Sequence, residues 1–280
     1  MGGEATASAT GAARIAAAFE SAREEARAAL MPYMMGGFPD HETSLAVAEA
    51  YVEAGADLVE LGVPFSDPLA DGPTIHAAAT HALAGGATLE RVLAICERIA
   101  GRAPVVAMTY ANMVLARGPG EFARALAAAG AAGAIVPDLP LEEGEEITAA
   151  LRAVGLAPVP LVAPTTPAPR RGVICAGAEG FVYVVSDTRV TGERDELPPG
   201  LSGLVEAVRA DSPVPVAVGF GVATPAQAAA VGRTADGVII GSRLVRAVAE
   251  ADGAADAAAR VAELIRECRE RLERDGAEQL

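Results

Sequence analysis

The sequence predicts an α/β protein, a (β/α)8 TIM barrel with a helix ahead of its first strand, and three observations carry that expectation. Near-continuous apolar runs, mostly of Val, Ile, Leu and Ala, recur eight times, as in parallel strands covered on both faces. Helical spacing returns between them, and eight such units in about 250 residues is the usual content of a closed barrel. No linker or composition break divides the chain, so residues 1–280 read as one domain, with residues 1–12 a flexible N-terminal tail.

Arg14 to Leu30 carries apolar residues at three- and four-residue intervals and reads as the leading helix, followed by a strand at Leu30 to Met35 that Gly36-Gly37 ends. A helix over Glu42 to Glu53 leads to the second strand, in the stretch Leu58 to Ile75, whose loop closes at Asp71-Gly72 before a helix beginning at Pro73. The cycle repeats as helix Thr88 to Ala100, strand Pro104 to Met108, helix Glu121 to Ala129, strand Ala134 to Val136 and helix Glu142 to Val154. Strand Val159 to Val162 follows, then a weaker helix at Pro169 to Ala176 that Gly172 and Gly177 interrupt, and strand Gly180 to Val185. The last units are helix Leu201 to Ala210, strand Val214 to Val218, helix Pro225 to Val231, strand Gly237 to Ile240 and a long helical tail from Ser242.

Composition removes whole classes of function. A hydrophobic content of 51% supports a sizeable core, yet no apolar run is long enough to span a membrane, and the N-terminus lacks the basic start and dense apolar core of a secretory signal. The expected location is the cytoplasm. A formal net charge of −15 argues against nucleic acid, whose phosphates need a basic surface. Cys96, Cys175 and Cys268 are widely spaced and odd in number, which suits buried reduced thiols. All 22 basic residues are Arg, so a lysine Schiff base, a lysine-held pyridoxal phosphate and a lysine P-loop are excluded. His41, His76 and His81 lack metal-ligand spacing, and no metal is expected. The chemistry falls to carboxylates, hydroxyls and backbone groups.

In a barrel those groups act at the C-terminal strand ends. Glu60 interrupts an apolar run, and side-chain alternation sends it into the barrel mouth if Leu58 points inward. Surrounded by Val59, Leu61, Tyr33 and Tyr183, its carboxyl would lose hydration and titrate upward, toward neutral pH. A buried glutamate held by structural hydrogen bonds is the plain alternative. Asp71 offers a second carboxylate in different surroundings, or merely the N-cap of the helix at Pro73. Gly219-Phe220-Gly221 after strand seven, Gly241-Ser242 after strand eight and Gly192 in the preceding loop are placed as anion-binding backbone usually is, although each alone could be a turn residue. Ser66-Asp67 and Asp138 are weaker candidates in turn-like contexts, and Ser186 to Pro199 is long, polar and aperiodic, as a lid or a solvated loop would be.

Taken together, ELGVPFSDPLADGPTI, YANMVL, IVPDLPLEE, APTTP, GFVYVVS, VTG, VGFGV and VIIGS resemble, in order and spacing over Leu30 to Ala247, the tryptophan synthase α subunit family. The resemblance implies a (β/α)8 barrel with an extra N-terminal helix and cleavage of indole-3-glycerol phosphate to indole and glyceraldehyde 3-phosphate. It makes Glu60 the proton carrier at indole C3 and the glycerol hydroxyl, and Asp71 the partner of the indole N–H. It places Tyr33, Tyr110 and Tyr183 beside the substrate, Thr191 in the closing loop, and Gly192, Gly221, Gly241 and Ser242 around the phosphate. Pro64, Phe65 and Asp67 match positions facing a β subunit, which in the family carries the pyridoxal phosphate in an αββα complex; this chain itself needs no cofactor. His76 stands where members usually carry Gln, and Asp187 and Arg189 depart from the family's lid. The altered lid also suits a stand-alone lyase of a secondary pathway, and a weakly catalytic subunit that activates a β partner is a third reading.

Overall fold

The structure is a computed structural model and describes residues 9–185, 199–219 and 221–277. Helix α1 spans Gly11–Glu24, and Thr10 caps it by accepting the Ala13 N–H. Thr10, Gly11 and Ala12, assigned above to a tail, therefore cap and begin this helix; residues 1–8 lie outside the described residues. The helix also stops earlier than Leu30. Ala26 takes φ 56°, which ends helical geometry, and Arg27 then turns inward to Asp57.

Strand β1 (Ala29–Met35), helix α2 (His41–Glu53), strand β2 (Val59–Gly62), helices α3 (Pro73–Ala84) and α4 (Leu89–Ile99) and strand β3 (Val105–Met108) follow the expected cycle. Asp40 and Thr88 cap α2 and α4 through their side chains. A short helix α5 (Ala111–Arg117) precedes α6 (Pro119–Ala128), β4 (Gly133–Ile135) and α7 (Glu145–Ala153); α5 was not anticipated. Strand Val159 to Val162 forms instead as two pieces, β5 (Ala157–Pro158) and β6 (Leu161–Val162). Pro158 and Pro160 lack the N–H an unbroken ladder needs. Helix α8 (Ala168–Ala176) forms despite Gly172, with Gly177 at its C-cap, and β7 (Val182–Val185), α9 (Leu201–Asp211), β8 (Val216–Gly219), α10 (Pro225–Gly232) and β9 (Gly237–Ile240) complete the alternation. The tail is two helices, α11 (Ser242–Ala249) and α12 (Ala254–Ala277), parted at Gly253 with φ +85°.

Every pairing is parallel, in the order β5-β4-β3-β2-β1-β9-β8-β7-β6. The ring closes through residues 157–162, because Val159 N–H donates to Ala134 O at 2.9 Å on one side and Pro160 O accepts Tyr183 N–H at 2.9 Å on the other. Nine strands thus make eight staves. Met31, Leu58, Val106, Tyr183 and Ile239 pack inside the ring against Ile15 and Phe19 of α1, which seals the floor. Leu30, Val59 and Leu61 point outward to the helices.

The floor is also where buried charge is fully paired. Arg27, whose side chain is 1% exposed, donates to Asp57 at 2.6 and 2.8 Å and to Glu25 at 2.9 Å. Asp57 accepts the Leu30 N–H at 2.7 Å as well, and Arg269 of α12 reaches Glu25 at 2.6 Å and the Gly55 carbonyl at 3.0 Å. This network ties the leading helix, the second stave and the last helix together.

Candidate active site

Glu60 lies in β2 in the same phase as the inward-facing Leu58, and it is 2% exposed. Val59 and Leu61 face the helices, so the apolar surroundings of Glu60 come from the barrel interior rather than from its neighbours in sequence. Among the described residues neither carboxylate oxygen has a hydrogen-bond partner. Burial pushes the carboxyl up to about 8, and the nearby Asp71 charge pushes in the same direction. A structural glutamate would be held by donors, which Glu60 lacks.

Asp71 precedes α3, but it does not cap it: Gly72 is the N-cap, without a side-chain bond, and Pro73 occupies the first turn. The Asp71 carboxylate instead lies beside the Tyr110 hydroxyl, which accepts the Ala70 N–H at 3.2 Å and favours the charged form of Asp71. Burial raises Asp71 to about 6, opposed by the Tyr110 hydroxyl and then by His76. One strand end therefore holds two carboxyls that titrate on either side of neutrality, the arrangement that separates an acid from a base.

Three tyrosines surround the pair. Tyr33 on β1, Tyr183 on β7 and Tyr110 at the start of α5 are all buried, and burial with the two carboxylates holds the Tyr33 and Tyr183 phenols well above their ordinary range. Tyr33 stands opposite Glu60 in register, and its ring leans over Gly62, where an added Cβ would lie 2.3 Å from its hydroxyl oxygen. Tyr183 repeats the geometry from β7, opposite Ala217, with a Cβ at Gly219 falling 2.2 Å from its hydroxyl. Gly219 is thus required by Tyr183, a reason different from the anion approach anticipated for it. Gly62 was not singled out from the sequence, because its reason for being glycine lies across the strand.

On the staves between Tyr33 and Tyr183, Gly221 adopts φ +86° after β8, and Gly241 follows β9 as the N-cap of α11, which Ser242 begins. Gly241 borders Tyr33, with an added Cβ 3.7 Å from the Tyr33 Cβ. The first amides of α11 have no side-chain cap, which leaves donors at a positive helix end. Thr191, Gly192, Asp187, Arg189 and Phe220, with Ser186 to Glu196 and on to Pro198, lie outside the described residues.

Of the residues assigned to a partner-facing loop, Asp67 is exposed, Phe65 is half-buried and stacks on Tyr110 at 5.2 Å between ring centroids, and Pro64 is buried. Leu69, 80% exposed and not picked out from sequence, is the more prominent apolar side chain there. Beside this loop, next to Ala70 and not around Glu60, opens a cavity of about 650 Å³ bordered by Leu69, Leu139, Leu141, Leu161 and Val173. The three cysteines are buried and free. Among the described residues no cluster could hold a metal ion, and no helix is long and apolar enough to cross a membrane.

Comparison with known proteins gives a consistent result. A family model described as tryptophan synthase alpha chain matches residues 19–273. The tryptophan synthase alpha chain of Roseiflexus castenholzii is 47% identical over 256 residues, covering 90% of this chain and 98% of that one. That of a Synechococcus strain is 48% identical over 240 residues, covering 85% and 89%. Among solved structures, a chain of Mycobacterium tuberculosis tryptophan synthase superposes with a TM-score of 0.86 at 41% identity, covering 93% of this chain and 98% of that one. The tryptophan synthase subunit alpha of Legionella pneumophila gives 0.85 at 34% identity, with the same coverage.

Proposed function

The chain belongs to the tryptophan synthase alpha chain family and has the α subunit's role in tryptophan biosynthesis, and from that premise and the site's geometry we propose that it cleaves indole-3-glycerol phosphate to indole and glyceraldehyde 3-phosphate. The observation that carries this reading is Glu60: an inward carboxyl, 2% exposed, without a hydrogen-bond partner among the described residues and raised to about 8, beside a second carboxyl near 6.

At neutral pH Glu60 is mostly protonated and Asp71 mostly ionised. Glu60 gives its proton to indole C3, which breaks ring aromaticity and leaves positive charge on the indole nitrogen. Asp71 accepts the N–H and stabilises that charge. Glu60, now a carboxylate, takes the proton of the glycerol hydroxyl next to the bond that breaks. The carbon–carbon electron pair returns to the ring, which becomes indole, and the oxygen left behind becomes the aldehyde of glyceraldehyde 3-phosphate. Protons and electrons balance without lysine or metal. Tyr33, Tyr110 and Tyr183 wall the indole end, while Gly221, Gly241 and Ser242 take the phosphate, with Gly192 and the lid's Thr191 assigned to the same task by the family resemblance.

The exposed apolar side chains Leu69, Leu141 and Val173, around the cavity next to Ala70, support docking of a β subunit, where the pyridoxal phosphate would reside. Indole release by the purified protein, alone and with a β subunit, tests the proposal. Glu60→Gln is expected to lower turnover by a factor of ~10³ or more while phosphate-bearing ligands still bind. Undiminished turnover in Glu60→Gln would remove the acid/base assignment.

A further inference from the structure

Asp138 stands just beyond β4, in Val136-Pro137-Asp138-Leu139-Pro140, and its Oδ1 accepts the Ala111 N–H at 2.9 Å. Ala111 opens α5, whose N-cap residue, Tyr110, supplies no side-chain cap of its own. A carboxylate from the neighbouring stave therefore caps this helix in place of a local residue. The consequence falls on Tyr110. The peptide joining Tyr110 to Ala111 is held at both ends, its N–H by Asp138 and its C=O by the N–H groups of Met113 at 3.0 Å and Val114 at 3.4 Å. The Tyr110 ring is stacked under Phe65, and its hydroxyl accepts the Ala70 N–H at 3.2 Å, which holds it beside Asp71, the next residue.

We propose that Asp138 is a positioning residue for the lyase reaction: by capping α5 at Ala111 it holds the Tyr110 hydroxyl against Ala70 and beside Asp71, the carboxylate that receives the indole N–H. The inference rests on the function proposed above. Its physical basis is that a hydroxyl held beside a half-buried carboxylate favours the charged form, against the burial that disfavours it. The other groups acting on Asp71 are Glu60 on β2, Tyr33 on β1, Tyr183 on β7 and His76 on α3, and none of them depends on the α5 cap.

The test measures kcat, KM and thermal stability for Asp138→Ala and Asp138→Asn, each with Tyr110 intact and with Tyr110→Phe, from about pH 5 to about pH 9. Asp138→Ala is expected to lower kcat/KM by about 10- to 100-fold and to move the acidic limb of the profile to higher pH. Asp138→Asn, whose amide oxygen can still cap Ala111, should keep the wild-type profile. Tyr110→Phe should reproduce the shifted limb, and adding Asp138→Ala to it should change the limb no further. If Asp138→Ala does not accumulate folded, Asp138→Ser, too short to reach the amide, should give the same shift. An equal loss in both Tyr110 backgrounds, or lower stability with an unmoved acidic limb, overturns the assignment. Wild-type protein that releases no indole would instead overturn the lyase reading and take this inference with it.

Discussion

Asp57 and Glu60 sit three residues apart at opposite ends of one barrel stave, and the protein treats these two carboxylates in opposite ways. At the floor, Asp57 accepts from Arg27 twice and from the Leu30 N–H, and Arg269 lies 3.6 Å away. At the mouth, Glu60 has no partner among the described residues. The first arrangement fixes a carboxylate in place with donors on several sides; the second leaves a carboxyl free to gain and lose a proton. One stave thus divides its acidic residues between holding the barrel together and the proposed chemistry.

Removing Arg27 should break the floor while sparing the mouth. Arg27→Ala leaves Asp57 buried with only the more distant Arg269 to offset its charge, and breaking a buried pair in this way costs roughly 3–5 kcal/mol. Chemical denaturation should show that loss, while kcat per folded molecule stays at the wild-type value. A drop in kcat that exceeds the loss of folded protein would mean that floor and mouth are coupled. Removing Asp57 as well should recover only part of the stability, because the Leu30 N–H then loses its acceptor.

The complementary change at the mouth should stabilise the protein as it inactivates it. The folded-state pKa of Glu60, about 8, lies above its ordinary 4.5. Between those values the folded state holds a proton that the unfolded chain releases, so stability declines as pH rises through this window. Glu60→Gln cannot titrate and should escape the decline. The variant is expected to match wild type near pH 4.5 and to exceed it by ~4–5 kcal/mol near pH 9, read from denaturation at both pH values. Equal stability across the range would show that Glu60 finds donors when charged.

The contrast also explains what could be read without the structure. Helices α2 and α4 were legible to within a residue because their signal, apolar residues at helical spacing, is local. Helix α5 was not, since its seven residues bury one side chain, Val114, and leave no periodicity to detect. The end of α1 was misplaced because what turns the chain at Ala26 and Arg27 is Asp57, 30 residues on. In the site, Glu60 was conspicuous as a charge inside an apolar run. Gly62 was not, because it owes its task to Tyr33 on the neighbouring stave, and Asp138 was named only as a weaker, turn-like candidate because its partner, Ala111, follows a different strand. Composition and spacing reveal a residue that is anomalous where it stands; they do not reveal one whose purpose lies across a strand pair.

Thr109 sharpens the comparison further, because lacking a partner is not by itself a sign of function. Like Glu60, it is fully buried near a strand end and its hydroxyl has no hydrogen-bond partner among the described residues. Unlike Glu60, it borders an apolar recess formed by Val114, Pro119, Phe122 and Ile147, with no carboxylate or tyrosine among these. A hydroxyl there is a desolvation cost with no chemistry to offset it. Thr109→Val keeps the shape and replaces the hydroxyl by a methyl group, so it should raise stability by ~1 kcal/mol, seen as a Tm higher by a few degrees. Activity should be unchanged, in contrast to Glu60→Gln, where stability rises only because activity is given up. A loss of turnover in Thr109→Val would place this hydroxyl with the mouth rather than with the packing behind it.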